Sequence, residues 1–394
     1  MSRLLKYILL ITLALFSFGQ LGRIHIPDQP IYFYIYELFM VAKIFLMGLI
    51  SKREIFKNYN FRHPANYFLI WMGCSFLISL FYYSSQENSI AILYALRLLM
   101  YGVFFFYLRY CLKLLSIRLD RGIVYISVFI FLGSILQYFL YPNIGNIAYL
   151  GWDPHISRLF GVFLDPPIAA AIFFLAGWFL LSRFLRERKK IYAIFSILIS
   201  FLLIVLTYSR GAFLALFGTM LFYGIFLKRY VAIAIAIMAF GLLILLIPKA
   251  QTESINLLRT TSISARLEDY QKGIEIWKKS PILGIGYNHI RFEKEKYIHK
   301  VFVESYNPSH GIASFHSSFM IVLVTGGVVG LILFLYILLD LAKKSTFMMI
   351  AIVFLSILSF FDNVLLHPFV IFFLGVLYLS DSMTEKSLTH PVRM

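Results

Sequence analysis

Residues 191–207 read IYAIFSILISFLLIVLT, seventeen positions without one charged side chain. A helix of about 17–25 apolar residues crosses the hydrocarbon core of a bilayer. A barrel strand would need only about ten residues, with polar and apolar positions alternating. This run is therefore read as a membrane-spanning helix. It has many counterparts along the chain, Tyr230–Ile247 among them. Hydrophobic residues make up 60% of the sequence and charged residues only 14%, so the excess cannot belong to one anchor. Soluble chains hold about 45–50% and about 25%. The expected fold class is an all-α polytopic membrane protein, because only helices and closed barrels satisfy their backbone in lipid. Candidate spans are 5–20, 30–50, 65–83, 89–108, 122–141, 166–183, 191–207, 212–227, 230–248, 315–339, 346–361 and 364–380, twelve in all.

The charges flanking these runs give the orientation. With the N-terminus in the cytoplasm, the inner segments hold 21 Lys and Arg residues, whereas the short outer loops hold Arg23, Arg158 and Arg210. Basic residues mark cytoplasmic loops, and long loops are translocated with little regard to charge. Both termini are thus expected inside, with the long hydrophilic segment 248–314 outside. The domain plan is spans one to nine over 1–247, the loop over 248–314, spans ten to twelve over 315–380, and a cytoplasmic tail over 381–394. Arg3 and Lys6 precede an apolar run as in a secretory signal. Without a small-x-small cleavage site, it reads as an uncleaved first span. The net charge of +17 has the same cause as the loop bias, so nucleic acid is not an expected partner. Cys74 and Cys111, the two cysteines, exclude a disulfide framework or a cysteine metal site.

The unusual residues face outward. Arg210 lies in the short turn Thr207-Tyr208-Ser209-Arg210-Gly211, and Arg158 precedes the mouth of span six. Either stands out against the charge bias as a functional candidate, or is an arginine snorkelling to headgroups. Within the long loop, Ile263, Leu267, Tyr270, Ile274 and Trp277 are spaced 4, 3, 4 and 3 apart, the stripe of an amphipathic helix over 263–279. Such a helix lies on the membrane surface or on the tops of the spans. Arg266 is next to that stripe and can reach toward the interface; a solvated arginine is the plain alternative. Pro281 and Gly284-Ile285-Gly286 end the helix. The loop closes through Asn307-Pro308-Ser309-His310 to His316, at the entrance of span ten, where Gly326, Gly327 and Gly330 permit close packing. Either histidine could be merely amphipathic. Arg97, near the middle of span four, is a functional candidate by depth or a structural partner in the bundle. Lys43 is expected to snorkel, and Asp362 and His367 to cap helices around the last outer turn.

In order and spacing these pieces resemble the O-antigen ligase and O-antigen polymerase superfamily of bacterial envelope glycosyltransferases. The resemblance rests on Ser209-Arg210-Gly211-Ala212, on Arg266 with the helix running into Ser280-Pro281-Ile282-Leu283-Gly284-Ile285-Gly286, and on His316 opening a glycine-containing span. It covers roughly residues 150–340 by motif and the remainder by topology. Many members carry Asn after the histidine, where this chain has Ser317. The resemblance implies a GT-C-like arrangement in the bacterial inner membrane, with the site facing the periplasm. It implies transfer of a glycan from undecaprenyl diphosphate to a sugar hydroxyl of lipid A–core. The alternative is a lipid-linked glycan acceptor, as in an O-antigen or exopolysaccharide polymerase.

The residue types suit that reaction. Arginine forks bind diphosphate oxygens in pairs and stay protonated. Histidine titrates where a hydroxyl-activating base should. Arg210, Arg266 and Arg158 are accordingly the expected diphosphate contacts and His316 the catalytic base or positioning group. Arg97, His310 and Tyr208 complete the candidate set. A carboxylate–metal design would need an acidic cluster, and the outer loops have no Asp-x-Asp. Glu293 and Glu295 alternate with Lys294 and Lys296, which reads as a solvated helix face. No metal or other cofactor is expected. A transporter of lipid-linked glycans is the reading from a different class. It would place functional charges near the midplane, where only Arg97 fits.

Overall fold

The computed structural model describes residues 2–25, 32–51, 63–115, 117–150, 155–231, 261–301 and 314–389, with isolated positions between 233 and 241. Its helices are α1 (Ser2–Phe16), α2 (Ile35–Ser51), α3 (Pro64–Ser79), α4 (Ser85–Leu115), α5 (Asp120–Leu140), α6 (Pro166–Arg186), α7 (Lys190–Leu206), α8 (Arg210–Phe226), α9 (Thr261–Lys279), α10 (Ile290–Val301), α11 (Ser318–Ala342), α12 (Thr346–Leu358) and α13 (Pro368–Thr389). A short antiparallel pair, β1 (Arg23–His25) and β2 (Tyr32–Tyr34), joins α1 to α2, with Ile24 opposite Phe33. The all-helical architecture is that of a membrane protein. Four helices, α4, α5, α6 and α11, are long and apolar enough to cross a bilayer by length and composition. The shorter apolar helices include α7, α8, α12 and the first part of α13. The ninth expected span, 230–248, lies largely outside the described residues.

Helix boundaries follow from local chemistry. α6 begins at Asp165, whose carboxylate accepts from the Ile168 amide, with prolines at its first two positions. Proline suits that place because the first amides lack partners within the helix anyway. Ser209, Ser317 and Ser345 cap α8, α11 and α12, each accepting from the amide three residues on.

α6 is the central helix, with every residue from Ile168 to Gly177 buried. Its alanines and Gly177 let α7 approach, and the Ser200 hydroxyl donates to the Phe173 carbonyl at 2.7 Å. Without a hydrophobic drive between helices in lipid, small residues and such hydrogen bonds hold the contact. An aromatic layer of Phe16, Tyr36, Phe163, Phe369, Phe372 and Phe373 ties α1, α2 and α13 together. Beneath it lies a buried ion pair. Arg97 Nε and Nη2 donate to the two oxygens of Glu37 at 2.7 and 3.0 Å. The Tyr101 hydroxyl and the Tyr34 amide add two further bonds to the same carboxylate. Arg97 is therefore a clasp between α2 and α4, with the Glu37 carboxylate as its partner in the bundle. Lys43 does not snorkel: only 1% of it is exposed. Its ammonium is buried near the Cys111 thiol of α4 and has no hydrogen-bond partner among the described residues.

α11 is broken in the middle. Gly327 has φ 65° and ψ −169°, which stops the helical ladder nine residues after Ser318. The segment 281–286, between α9 and α10, fills the break. Ile285 N–H donates to Val324 O at 2.9 Å, Gly286 N–H to Thr325 O at 3.1 Å, and Val328 N–H to Pro281 O at 2.9 Å. From α3, Trp71 Nε1 donates to Gly326 O and the Ser75 hydroxyl to Thr325 O. The carbonyls freed by the kink are thus satisfied by protein, the condition for non-helical backbone at membrane depth. The glycines admit a loop as well as the neighbouring helix that sequence spacing suggested.

Candidate functional site

The site is built around α9, whose docking face differs from the apolar stripe. Asp269, Gly273 and Ile276, spaced 4 and 3 apart, are buried against α11. A Cβ at Gly273 would stand 2.6 Å from Met320 Sδ, so glycine sets the approach of the two helices. Ile263, Leu267 and Ile274 of the stripe remain 56%, 60% and 40% exposed. The helix therefore rests on the tops of the neighbouring helices, and Tyr270 and Trp277 of the stripe also pack there while Ile263, Leu267 and Ile274 stay exposed.

Asp269 is the pivot. Its Oδ2 accepts from the His316 backbone N–H at 2.8 Å and from His316 Nδ1 at 3.0 Å. Its Oδ1 accepts from Lys294 Nζ of α10 at 2.5 Å, and that ammonium also donates to Ser314 O at 2.6 Å. Burial pushes the Asp269 carboxyl up, but the His316 hydrogen bond and the Lys294 charge outweigh it, leaving it below the usual carboxylate range. His316 is held above its ordinary value, first by the Asp269 hydrogen bond and, against burial, by the charge of Asp362. The run at 293–296 is not a solvated face. Glu293 and Lys294 are buried, Glu293 between Lys279 and Lys296 at 2.6 and 2.8 Å.

A second anchor is the turn at 359–365, between α12 and α13. Arg266 Nη2 meets Asp362 Oδ2 at 3.2 Å, so the arginine does reach toward the spans. The same turn binds the start of α11: Ser318 N–H donates to Ser359 O, and the Ser318 hydroxyl to Asn363 Oδ1 at 3.2 Å. It also abuts the start of α8, where a Cβ on Gly211 would lie 2.9 Å from that of Phe361. Arg210 opens α8 one residue earlier, after Tyr208 in a left-handed conformation (φ 49°). Arg158 is buried below this turn and donates to the carbonyls of Thr207 at 2.9 Å and Tyr208 at 3.3 Å. The turn at 359–365 thus pairs with Arg266 through Asp362, carries the Asp362 charge that acts on His316, and packs against the backbone that follows Arg210. Arg97 belongs to the Glu37 clasp instead, and His310 lies outside the described residues.

Asp269 and Lys294 were missed by sequence reasoning, and Asp362 was read only as a cap. A signal for Asp269 did exist, as it shares a helix face with Gly273 and Ile276 at helical spacing. A search for apolar stripes passes over a face made of one carboxylate, one glycine and one isoleucine.

The loop has a second fastening with a pH dependence. His289 is fully buried and stacks on Tyr83 at 4.1 Å. Its Nε2 meets Asn88 Oδ1 at 3.0 Å, and its Nδ1 meets Ser79 Oγ at 3.4 Å. Burial lowers its pKa from 6.5 to about 4. The undocked imidazole takes up a proton near its ordinary pKa, whereas the docked one resists until about pH 4. Docking is then at full strength above pH 6.5 and weakens as pH falls toward 4. Amide protection over 281–296, measured against the intrinsic exchange rate at each pH, should therefore fall as pH drops below about 6 and stay flat above 7. His289→Gln should remove that fall, and an equal fall in the variant would show that another group titrates.

No curated protein matches the chain. Residues 195–335, a stretch that includes Arg210, Arg266 and His316, match the family model described as O-antigen ligase, and this supports placing the chain in the O-antigen ligase and polymerase superfamily that its motif order resembles.

Proposed function

We propose that this chain is an O-antigen ligase-type glycosyltransferase of the bacterial inner membrane, with twelve spans, both termini in the cytoplasm and the site facing the periplasm. The donor is a glycan on undecaprenyl diphosphate and the acceptor a sugar hydroxyl of lipid A–core. The observation that supports this reading is that one turn, 359–365, meets all three stretches: Asp362 pairs with Arg266, its charge acts on His316, and Phe361 packs against the backbone that follows Arg210.

In the reaction the acceptor oxygen attacks the anomeric carbon from the side opposite the diphosphate. The new C–O bond forms as the bond to the diphosphate oxygen breaks, and the configuration inverts. Undecaprenyl diphosphate leaves with the bonding pair, and the hydroxyl proton passes to His316. Arg266 has five N–H donors, of which the Asp362 contact engages Nη2. Asp362 aims the guanidinium while the remaining donors meet the diphosphate. Arg210 supplies the second cation from the amino end of α8, where the helix dipole also favours an anion. Preorganised cations of this kind stabilise the leaving charge more strongly at an interface than in bulk water. Arg158 supports the turn from below by holding the Thr207 and Tyr208 carbonyls. The exposed stripe of α9 rests on lipid.

The test is transfer in proteoliposomes with labelled donor, lipid A–core acceptor and no transmembrane gradient. A new glycosidic bond is expected, at a rate unchanged by chelator. Loss of activity with chelator and its return with magnesium or manganese would overturn the arginine–histidine mechanism. Extension of the lipid-linked glycan with lipid A–core left unmodified would make the protein a polymerase. Movement of donor across the bilayer without any new bond would make it a transporter.

A further inference from the structure

We infer that Asp269 is the positioning residue of His316, and that Lys294 in turn fixes Asp269; the inference rests on the reading of His316 as the group that takes the acceptor proton. The geometry is two-pronged. One carboxylate oxygen, Oδ2, accepts from both the backbone N–H and the ring Nδ1 of His316, at 2.8 and 3.0 Å. An ionised carboxylate only accepts hydrogen bonds, so Nδ1 must carry the proton. That choice leaves Nε2 as the lone-pair nitrogen. Nε2 is also the nitrogen free to turn outward, since 43% of the His316 side chain is exposed. The backbone bond fixes where the residue sits and the ring bond fixes which way it faces, so a single side chain sets tautomer and direction together.

The carboxylate cannot drift, because its other oxygen is held by Lys294 at 2.5 Å. Lys294 is in turn pinned by Ser314 O at 2.6 Å and by the Phe315 ring, whose centroid is 4.4 Å from its ammonium. α9, α10 and the entrance of α11 are joined at this one buried cluster. Asp269 resembles the orienting acid of a hydrolytic triad in its role, though it arises from a loop helix. The charged groups facing His316 are Asp269 from α9, Lys294 from α10, and Asp362 from the turn at 359–365, itself paired with Arg266. The two aspartates favour the protonated ring and Lys294 opposes it.

The opposing signs give the test. Transfer rates are measured against pH in proteoliposomes for the full chain and for Asp269→Asn, Asp269→Glu, Lys294→Met and His316→Ala. Asp269→Asn should lower kcat about a hundredfold or more, leave KM for the donor little changed, and move the acid limb to lower pH. Asp269→Glu should recover part of the rate. Lys294→Met removes the opposing cation and should move the acid limb to higher pH. A residue that only props up the fold would lower the rate in each variant without displacing the limb in opposite directions. If Asp269→Asn does not fold, the direction of the Lys294→Met limb decides, and an unmoved limb overturns the inference. A wild-type rate and limb in Asp269→Asn, with His316→Ala inactive, overturns the positioning role alone. A wild-type rate in His316→Ala overturns the reading beneath it.

Discussion

Substituting His316 with alanine is expected to reduce glycan transfer by about a thousandfold or more while the protein still inserts and purifies as a single species. The reason is that chemistry and fold separate at this residue. The imidazole is the group that takes the acceptor proton, and it is partly exposed. The fold around it depends on other atoms. Ser317 caps α11 through its hydroxyl, and Asp269 still accepts from the residue 316 backbone N–H and from Lys294 in the variant. Losing the ring removes one hydrogen bond from a carboxylate that keeps two, a cost of about 1.5–3 kcal/mol. Detergent-extracted protein should thus elute as the wild type does, and the defect should appear only in transfer. An unfolded variant would mean that the Asp269–His316 contact carries far more stability than this accounting allows. A fully active one would remove His316 from the site.

How much of this was legible beforehand depends on the range of the interaction. The helix read over 263–279 from its apolar spacing runs Thr261–Lys279 in the structure, because periodicity is a local property of the chain. Helix positions were similarly local: the run at 191–207 became α7, Lys190–Leu206. Arg266 and His316 stood out as motifs, but the turn at 359–365 whose Asp362 acts on both did not. It lies nearly a hundred residues beyond Arg266, and nothing in the spacing links Arg266 to Asp362. Charges were misread for the same reason. Lys43 and the run Glu293-Lys294 look solvent-seeking in sequence, yet they are buried by segments distant in the chain: Lys43 near Cys111, and Lys294 against Asp269. Sequence reveals that a buried charge needs a partner and leaves open which one.

The largest loss of stability is expected from Gly327→Ala. The backbone there has φ 65° and ψ −169°, a region that only glycine occupies without strain of about 1–3 kcal/mol. A Cβ would also stand 2.0 Å from the Ile282 carbonyl oxygen and 2.3 Å from its carbon. Those are backbone atoms, which cannot rotate aside. The segment 281–286 must then leave the break in α11, and the hydrogen bonds from Ile285, Gly286 and Val328 go with it. The break lies about 14 Å along the helix from its start, at a depth where unpaired carbonyls find no water and cost several kcal/mol each. Strain and lost bonds together amount to on the order of 5 kcal/mol or more, a size reserved for such mechanisms. Gly330→Ala is the matched control. Its Cβ would meet Trp71 and Met72 at 3.5 Å and beyond, ordinary contact distances, so its stability should change by about 0.5 kcal/mol or less. Thermal unfolding in detergent separates the two, and equal midpoints would show that the loop is not seated in the helix. The consequence for function is direct. Segment 281–286 joins α9 to α10, the helices that bring Asp269 and Lys294 together under His316. Unseating it should disperse that cluster, so Gly327→Ala protein that survives purification should have lost transfer as well, although the substituted residue lies nine positions beyond the start of α11.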